Sequence, residues 1–343
     1  MKAVVKDKPQ PGIIVKEVPT PVFDAKDVLL RVSRASICGS DLGLYDYTPA
    51  YAGFAKLPLI PGHEFAGEIA EVGADVTEFV KGERVVAESV IGCGQCKFCR
   101  EGQTNLCVNF SIMGIHRNGG FSELAAVPSR HLHHLRGKID FAEGALIEPL
   151  SVVCHAIFDI CRIEPADFVS IIGPGPIGLL AAEVARASGS NRILISGIEI
   201  DKERLELASK LGFRTISSTE TDSVKETLNA TNGSGADVAI VAAGSGQALV
   251  NACDMVRKGG RVLSIGIFSK PVELNITNLV RRQISLCGTF ASSWKNYEEA
   301  MNLVEYGKVD LKPLVTHHFP INDATSAFEI AKSKEGCKVQ ITM

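Results

Sequence analysis

The chain has 343 residues, 45% of them hydrophobic, and a formal net charge of -3. That length accommodates roughly two domains, and no Lys/Arg run forms the stripe that a nucleic-acid partner requires. The start, MKAVVKDKPQ, is too charged for a secretory signal. The longest uncharged apolar stretch, Phe168 to Ala182, is fifteen residues broken by Gly and Pro, short of the ~18 of a membrane span, so a soluble, cytoplasmic protein with no membrane partner is expected.

Up to about residue 150 the chain carries short Val/Ile runs between turn signals: AVV, GIIVKEV, DVLLRVSRASI, GEIAEVG and GERVVAES. These predict short antiparallel strands in an all-β body. Beyond it, DFVSIIG, PIGLLAAEVARASG, RILISGI, KERLELASKLG, ADVAIVAA, ALVNACDMV and GGRVLSIGI alternate strand with helix, the cadence of βαβ units and a parallel sheet. From about residue 289 comes one helix, NYEEAMNLVEYG, and then short β-like pieces. The expected organisation is α/β plus β: residues 1–150 with 289–343 form one body, and residues 151–288 form an inserted α/β domain.

Within the first body, Cys38 in SICGSDLG and His63 in PGHEFAGEIAEVG are 25 residues apart. A thiolate and an imidazole suit zinc, and Glu64 or Glu148 is the third candidate ligand. Three protein ligands and one exchangeable position describe a catalytic site. Asp41 is suited to steady His63 through a hydrogen bond.

Four of the ten cysteines, Cys93, Cys96, Cys99 and Cys107, crowd into GCGQCKFCREGQTNLC. In a chain with no export signal, clustered thiols are metal ligands rather than a disulfide framework. Four thiolates close a tetrahedral shell and leave no room for substrate, so this zinc site is structural. An iron–sulfur cluster is the rival, but ferredoxin runs place the fourth Cys after three residues and follow it with Pro. Here the gap is seven residues and Val108 follows.

In the α/β segment, IIGPGPIG contains Gly173, Gly175 and Gly178 in G-x-G-x-x-G spacing. The match follows a predicted strand and opens a predicted helix at Pro176 and Ile177, the context a dinucleotide site requires. Gly173 permits the turn, Gly175 lets backbone approach a pyrophosphate and Gly178 lets helix pack on strand. The acid expected at the end of the second strand is displaced: Gly197 stands there, with Glu199 and then Asp201 beyond. Glu199 is the first choice to hold the ribose and Asp201 the second, while Arg204 is placed to meet a 2′-phosphate. NAD is favoured over NADP, because no basic residue lies between Gly197 and Asp201.

Together, GHEFAGEIAEVG, CGQCKFCREGQTNLC, GPGPIG and IEPLSV resemble, in this order, the zinc-dependent medium-chain alcohol dehydrogenase family in its sorbitol/threonine dehydrogenase-like branch. The resemblance spans essentially the whole chain. It implies a GroES-like β-barrel catalytic domain with an inserted Rossmann domain, and reversible oxidation of a secondary alcohol such as a polyol or sugar acid. L-Threonine and butanediol dehydrogenases are alternative readings within the family, and a non-catalytic binding or regulatory protein is the alternative outside it. By the resemblance, Cys38, His63 and Glu148 surround a catalytic zinc, Glu64 is a neighbour able to swing in, and Ser40 relays the substrate proton. A homo-oligomer, dimer or tetramer, is implied.

Three departures stand out. Gly43 occupies the position where the family often has a relay histidine. Phe290, Ala291 and Ser292 replace the branch's Phe-Arg-Tyr. The acid is missing at Gly197. Tyr45, Tyr51, Phe54 and Trp294 are candidate walls for a substrate.

Overall fold

The computed structural model describes residues 1–343, which divide into two compact units: Met1–Ser151 with Ala291–Met343, and Val152–Phe290.

The first unit is built on a seven-stranded sheet. Its path runs Val315–Pro320, Lys338–Thr342, Asp27–Ser36, Glu64–Val72, Arg84–Ala87, Leu132–His134, and Leu124–Pro128 pairs laterally with Asp27–Ser36. The central strand DVLLRVSRAS follows the apolar alternation that buries one face, and Val28, Leu30, Val32 and Ala35 meet Phe65, Ile69, Val85 and Ala87 in the core. Its neighbours Glu64–Val72 and Leu124–Pro128 run antiparallel to it. The C-terminal strand pairs within this unit: Gln340 with Ser36 and Thr342 with Arg34.

One element of the tail was not foreseen. Ala324–Ser333, between the two β-like pieces, is a helix. Ala324, Ala327 and Phe328 recur at helical spacing and are buried, and the helix is the crossover that lets Val315–Pro320 and Lys338–Thr342 pair in parallel.

The second unit is a six-stranded sheet in the order Arg214–Ser217, Arg192–Gly197, Phe168–Ile172, Ala236–Val241, Val256–Ser264, Ser285–Gly288. All its pairings are parallel. Numbered along the chain this is 3-2-1-4-5-6, the doubly wound Rossmann order. Its inner strands are predominantly apolar, as strands buried on both faces are.

Candidate active site

The sequence around Cys38 folds locally for a clear reason. Cys38 follows the central strand and caps the helix Gly39–Tyr45. Its backbone N–H donates to one oxygen of Asp41 at 3.0 Å, and the N–H of Gly62 donates to the other at 3.2 Å. One buried carboxylate therefore ties the helix start to the turn before His63. Gly62 has φ +94°, with the Phe121 ring packed where a Cβ would lie, so glycine is required there.

The His63 ring is almost fully buried. Its Nε2 lies 3.3 Å from Ser40 Oγ, and its Nδ1 lies 3.7 Å from Asp41 Oδ1 with no hydrogen-bond partner. The Cys38 sulfur, a His63 nitrogen and a Glu64 oxygen lie within 4.8 Å of one another. Glu148, on the helix Ile147–Cys154, is buried and electrostatically coupled to His63 and Glu64. It stands outside that close triad. Of the two acids, Glu64 is thus the nearer donor, whereas the resemblance implies Glu148 as the ligand and Glu64 as the neighbour.

The electrostatics of the cluster follow from burial. Desolvation pushes the Asp41 and Glu148 carboxyls up. Burial alone would push His63 down, but Asp41, Cys38 and Glu148 outweigh it and hold the imidazole well above its usual value. Glu64 pairs with the buried Lys338 ammonium, which also donates to the Ile37 carbonyl at 3.3 Å. Burial opposes the Lys338 charge, yet Glu64, Cys38 and Glu148 together raise it. Neither Lys338 nor this pairing was legible in the sequence, since a lysine in a C-terminal strand carries no motif.

The donor set of thiol, imidazole and carboxylate, with more acidic groups than basic ones around it, fits a borderline-soft divalent cation such as zinc. His63 Nδ1 is an orphaned buried polar atom facing Asp41 at 3.7 Å, while Nε2 faces Ser40.

The four clustered thiols lie within 4.8 Å of one another, on a loop framed by the paired strands Val90–Ile91 and Ser111–Ile112. Backbone N–H groups of Cys93 and Asn109 donate to Cys107 Sγ at 3.2 and 3.4 Å, and that of Cys96 donates to Cys93 Sγ at 3.4 Å. Amide N–H groups aimed at sulfur stabilise thiolates. The Cys99 N–H contributes most to bringing the Cys96 thiol down to about 6, and burial lifts Cys99 to about 12. Cys93 and Cys99 are 4.0 Å apart at sulfur, far beyond a disulfide bond. The lobe fits a closed tetrathiolate zinc site.

In the second unit, Gly173 has φ +104°, and a Cβ on Gly178 would lie 1.9 Å from the Gly173 carbonyl oxygen. The helix Pro176–Ala187 starts at Gly175 with Pro176 in its first turn, leaving backbone N–H groups of the first turn open to an anion. Arg204 approaches this turn, its Nη1 3.9 Å from the point a Gly175 Cβ would occupy. Asp201 is buried and accepts the Ile198 N–H at 3.2 Å, while Glu199 is exposed.

The suggested walls separate. Tyr45 is a core residue, stacked on Phe328 at 5.3 Å and bonded to Glu329, which removes it from any substrate surface. Trp294 lies half-exposed over His133, and Phe54 is exposed beside His116. At the departure from Phe-Arg-Tyr, Ser292 is buried and bonds Ser151 at 2.7 Å, so a small buried hydroxyl pair stands there.

The family model described as an alcohol dehydrogenase GroES-like domain matches residues 24–137, and the one described as a zinc-binding dehydrogenase matches residues 176–306. A sorbitol dehydrogenase from Halalkalibacterium halodurans is 35% identical over 100% of this chain and 99% of its own. The chain belongs to the zinc-dependent medium-chain alcohol dehydrogenase family. An L-threonine 3-dehydrogenase from Bacillus velezensis is 33% identical over 99% of this chain and 98% of its own. An alcohol dehydrogenase from Thermus sp. ATN1 superposes with a TM-score of 0.91 at 30% identity, covering 100% and 99% of the two chains. This dehydrogenase therefore combines a GroES-like catalytic fold with a Rossmann fold, and it is an oxidoreductase acting on an alcohol.

A second buried network in this dehydrogenase escaped the sequence reading. Glu88 accepts from His131 Nδ1 at 2.8 Å and from His133 Nε2 at 3.0 Å. His133 Nδ1 faces Glu298 at 2.9 Å, so the ring lies between two carboxylates. The next residue, Ser89, donates its N–H to Tyr297 Oη at 3.0 Å. The sequence signal was the alternation RHLHHL beside an apolar strand.

Burial would raise the Glu88 carboxyl, but the two histidines outweigh it and hold it below the ordinary glutamate value. The folded value is depressed, so the stabilisation is fully present above about pH 4.5 and is lost as pH falls through the folded value. Glu88→Gln is expected to destabilise the protein at pH 7 by about 3–5 kcal/mol, with the gap to the wild type closing in acid. Thermal melts at pH 7 and pH 4 measure this; equal melting temperatures at pH 7 would count against it.

Proposed function

We propose that Cys38, His63 and Glu64, with Glu148 close by, hold a catalytic zinc ion, and that the protein oxidises a secondary alcohol to a ketone with NAD. The observation that carries the reading is the close triad of thiol, imidazole and carboxylate beside Ser40. On this reading Met1–Ser151 with Ala291–Met343 is the catalytic domain and Val152–Phe290 the nucleotide-binding domain.

A zinc ion at the triad supplies Lewis-acid polarisation of a substrate hydroxyl. The remaining work falls to the chain. Ser40 Oγ, within 3.3 Å of His63 Nε2, takes the hydroxyl proton of an alcohol held at the triad. Asp41 ties the start of the helix that carries Ser40 to the turn before His63. Lys338 balances Glu64, so that an acid can sit beside a thiolate in a buried site. The turn at Gly173, Gly175 and Gly178, followed by Pro176 and Ile177, binds the cofactor pyrophosphate at the helix N-terminus.

Cys93, Cys96, Cys99 and Cys107 hold a structural zinc. All ten cysteines are free thiols, which suits the reducing cytoplasm, and no helix is long and apolar enough to cross a membrane. Ile276 and Val280 are 60% and 70% exposed, and Leu286 on the edge strand Ser285–Gly288 is 43% exposed. Such an open apolar edge invites pairing between copies, and a homo-oligomer is the reading it supports.

The test is turnover of sorbitol, 2,3-butanediol and L-threonine with each nicotinamide cofactor, and ketone formation with NAD is expected. No turnover of any secondary alcohol would overturn the proposal. Cofactor choice rests on Glu199, whose carboxylate accepts from ribose hydroxyls and repels a 2′-phosphate. Glu199→Ala is expected to weaken NAD and narrow its advantage over NADP by roughly tenfold, about 1.4 kcal/mol. An unchanged cofactor ratio would reduce Glu199 to a helix-start acid. A wild type that prefers NADP would shift the role to Arg204.

A further inference from the structure

The residues just before the tail helix Trp294–Glu305 are pinned from several sides. Ala291 has φ +50°, the left-handed region that a residue with a Cβ enters only at a cost. Such a conformation persists where the surrounding contacts over-determine it. Ser293 caps the helix, its N–H donating to Asn296 Oδ1 at 2.9 Å. Tyr297, in the first turn, accepts the Ser89 N–H at 3.0 Å. Ser292, between Ala291 and the cap, is 4% exposed, and its Oγ lies 2.7 Å from Ser151 Oγ.

The protons of this pair can be counted. Ser151 is fully buried and donates its hydroxyl proton to the Glu148 carbonyl at 2.6 Å. A serine hydroxyl has one proton to give and two lone pairs to accept with. Ser151 therefore accepts from Ser292, and Ser292 is the donor. The bonds run in one direction, from Ser292 to Ser151 to the Glu148 carbonyl, so each polarises the next.

We propose that Ser292 is a positioning residue for Glu148, fixing through Ser151 the main chain that carries the Glu148 carboxyl. The proposal rests on the reading that a zinc ion is held at Cys38, His63 and Glu64 with Glu148 close by. Ser151 stands on the same helix as Glu148, three residues on, so a shift of one carries the other with it. Ser292 is 141 residues from Ser151 in sequence, so the tie is tertiary and does not follow from the helix itself. Binding sites of this kind tolerate displacements of only about 0.5 Å. With its hydroxyl committed to Ser151, Ser292 acts on the site through the helix and does not touch the reacting atoms.

The experiment loads the full chain with zinc and titrates it with a competing chelator, which separates the ion of the triad from the ion of the four clustered thiols. Ser292→Ala is expected to weaken the triad ion about tenfold, the lower end of the loss when a group behind a metal ligand is removed. The thiolate ion and the melting temperature should stay near wild type. With whichever of sorbitol, 2,3-butanediol or L-threonine the wild type turns over fastest, kcat should fall while the KM for NAD is unchanged. With Co²⁺ in place of zinc at the triad, the visible absorption of Ser292→Ala should shift, a signature that a general loss of stability does not give. Ser151→Ala should reproduce these changes, and the double variant should lose no more than either single one. Wild-type zinc affinity and Co²⁺ spectrum in Ser292→Ala would overturn the proposal, as would a double variant that loses the product of the two single losses. Glu148→Gln tells the two levels apart. If it keeps wild-type zinc affinity and turnover, the placing of Glu148 at the zinc fails and the proposal falls with it. If it is impaired while Ser292→Ala is not, only the role of Ser292 is rejected.

Discussion

Cys38→Ser is expected to release one of two zinc ions per chain and to lower turnover by at least ~10³-fold, the equivalent of about 4 kcal/mol of transition-state stabilisation. A serine hydroxyl stays protonated near neutral pH and is a far poorer ligand for zinc than a thiolate. The fold should survive, because the thiol is not what holds the local structure. The capping contact runs from the Cys38 backbone N–H to Asp41, and serine is itself a preferred residue at a helix N-cap. Far-UV circular dichroism and melting temperature are therefore expected to stay near wild type while metal analysis and activity change. A variant that kept both metals and normal turnover would remove Cys38 from the ligand set.

How far the sequence foretold this site depends on what kind of information each residue carries. Cys38, His63 and the four clustered cysteines stood out because they are rare residue types at restricted spacings, and the structure brings each group within 4.8 Å. Gly173 and Gly178 were legible because a tight turn against a helix start excludes side chains: Gly173 has φ +104°, and a Cβ on Gly178 would meet the Gly173 carbonyl oxygen. The βαβ cadence foretold the parallel sheet for the same reason: period and punctuation are local properties. Lys338 and Glu88 were not assigned their partners, since each acquires its role from residues distant in sequence. Lys338 meets Glu64 only because the C-terminal strand pairs with Asp27–Ser36. The order of Glu64 and Glu148 around the triad is likewise a matter of tertiary geometry. Tyr45 shows the converse: an aromatic in a suggestive loop turned out to be core, because its ring stacks on Phe328 in a helix that the sequence reading had missed.

Cys96→Ser should act on stability rather than on chemistry. The lobe between Ile91 and Ser111 contains only a single helical turn, Lys97–Arg100, and the short helix Thr104–Leu106. Its apolar side chains face outward: Leu106 is 47% exposed and Val108 67%. Burial therefore contributes little to holding the lobe, and the thiolates with their metal must do so. Structural zinc supplies about 10–16 kcal/mol in small metal-dependent folds, on the scale of the whole stability of a domain, so losing one of four ligands removes a large share of it. The ends of the lobe are held independently, by the pairing of Val90–Ile91 with Ser111–Ile112 and by Arg130 Nη2, which donates to the Gly92 carbonyl at 2.7 Å. Unfolding should therefore start between Cys93 and Cys107, leaving the Cys38 triad intact. The expected result is faster proteolytic cleavage within that span, a lower melting temperature or aggregation, and the catalytic metal still present in whatever remains soluble. Mild chelation of the wild type should reproduce the cleavage pattern. A variant with wild-type melting temperature and wild-type protease resistance would mean that the four thiols hold nothing the fold depends on.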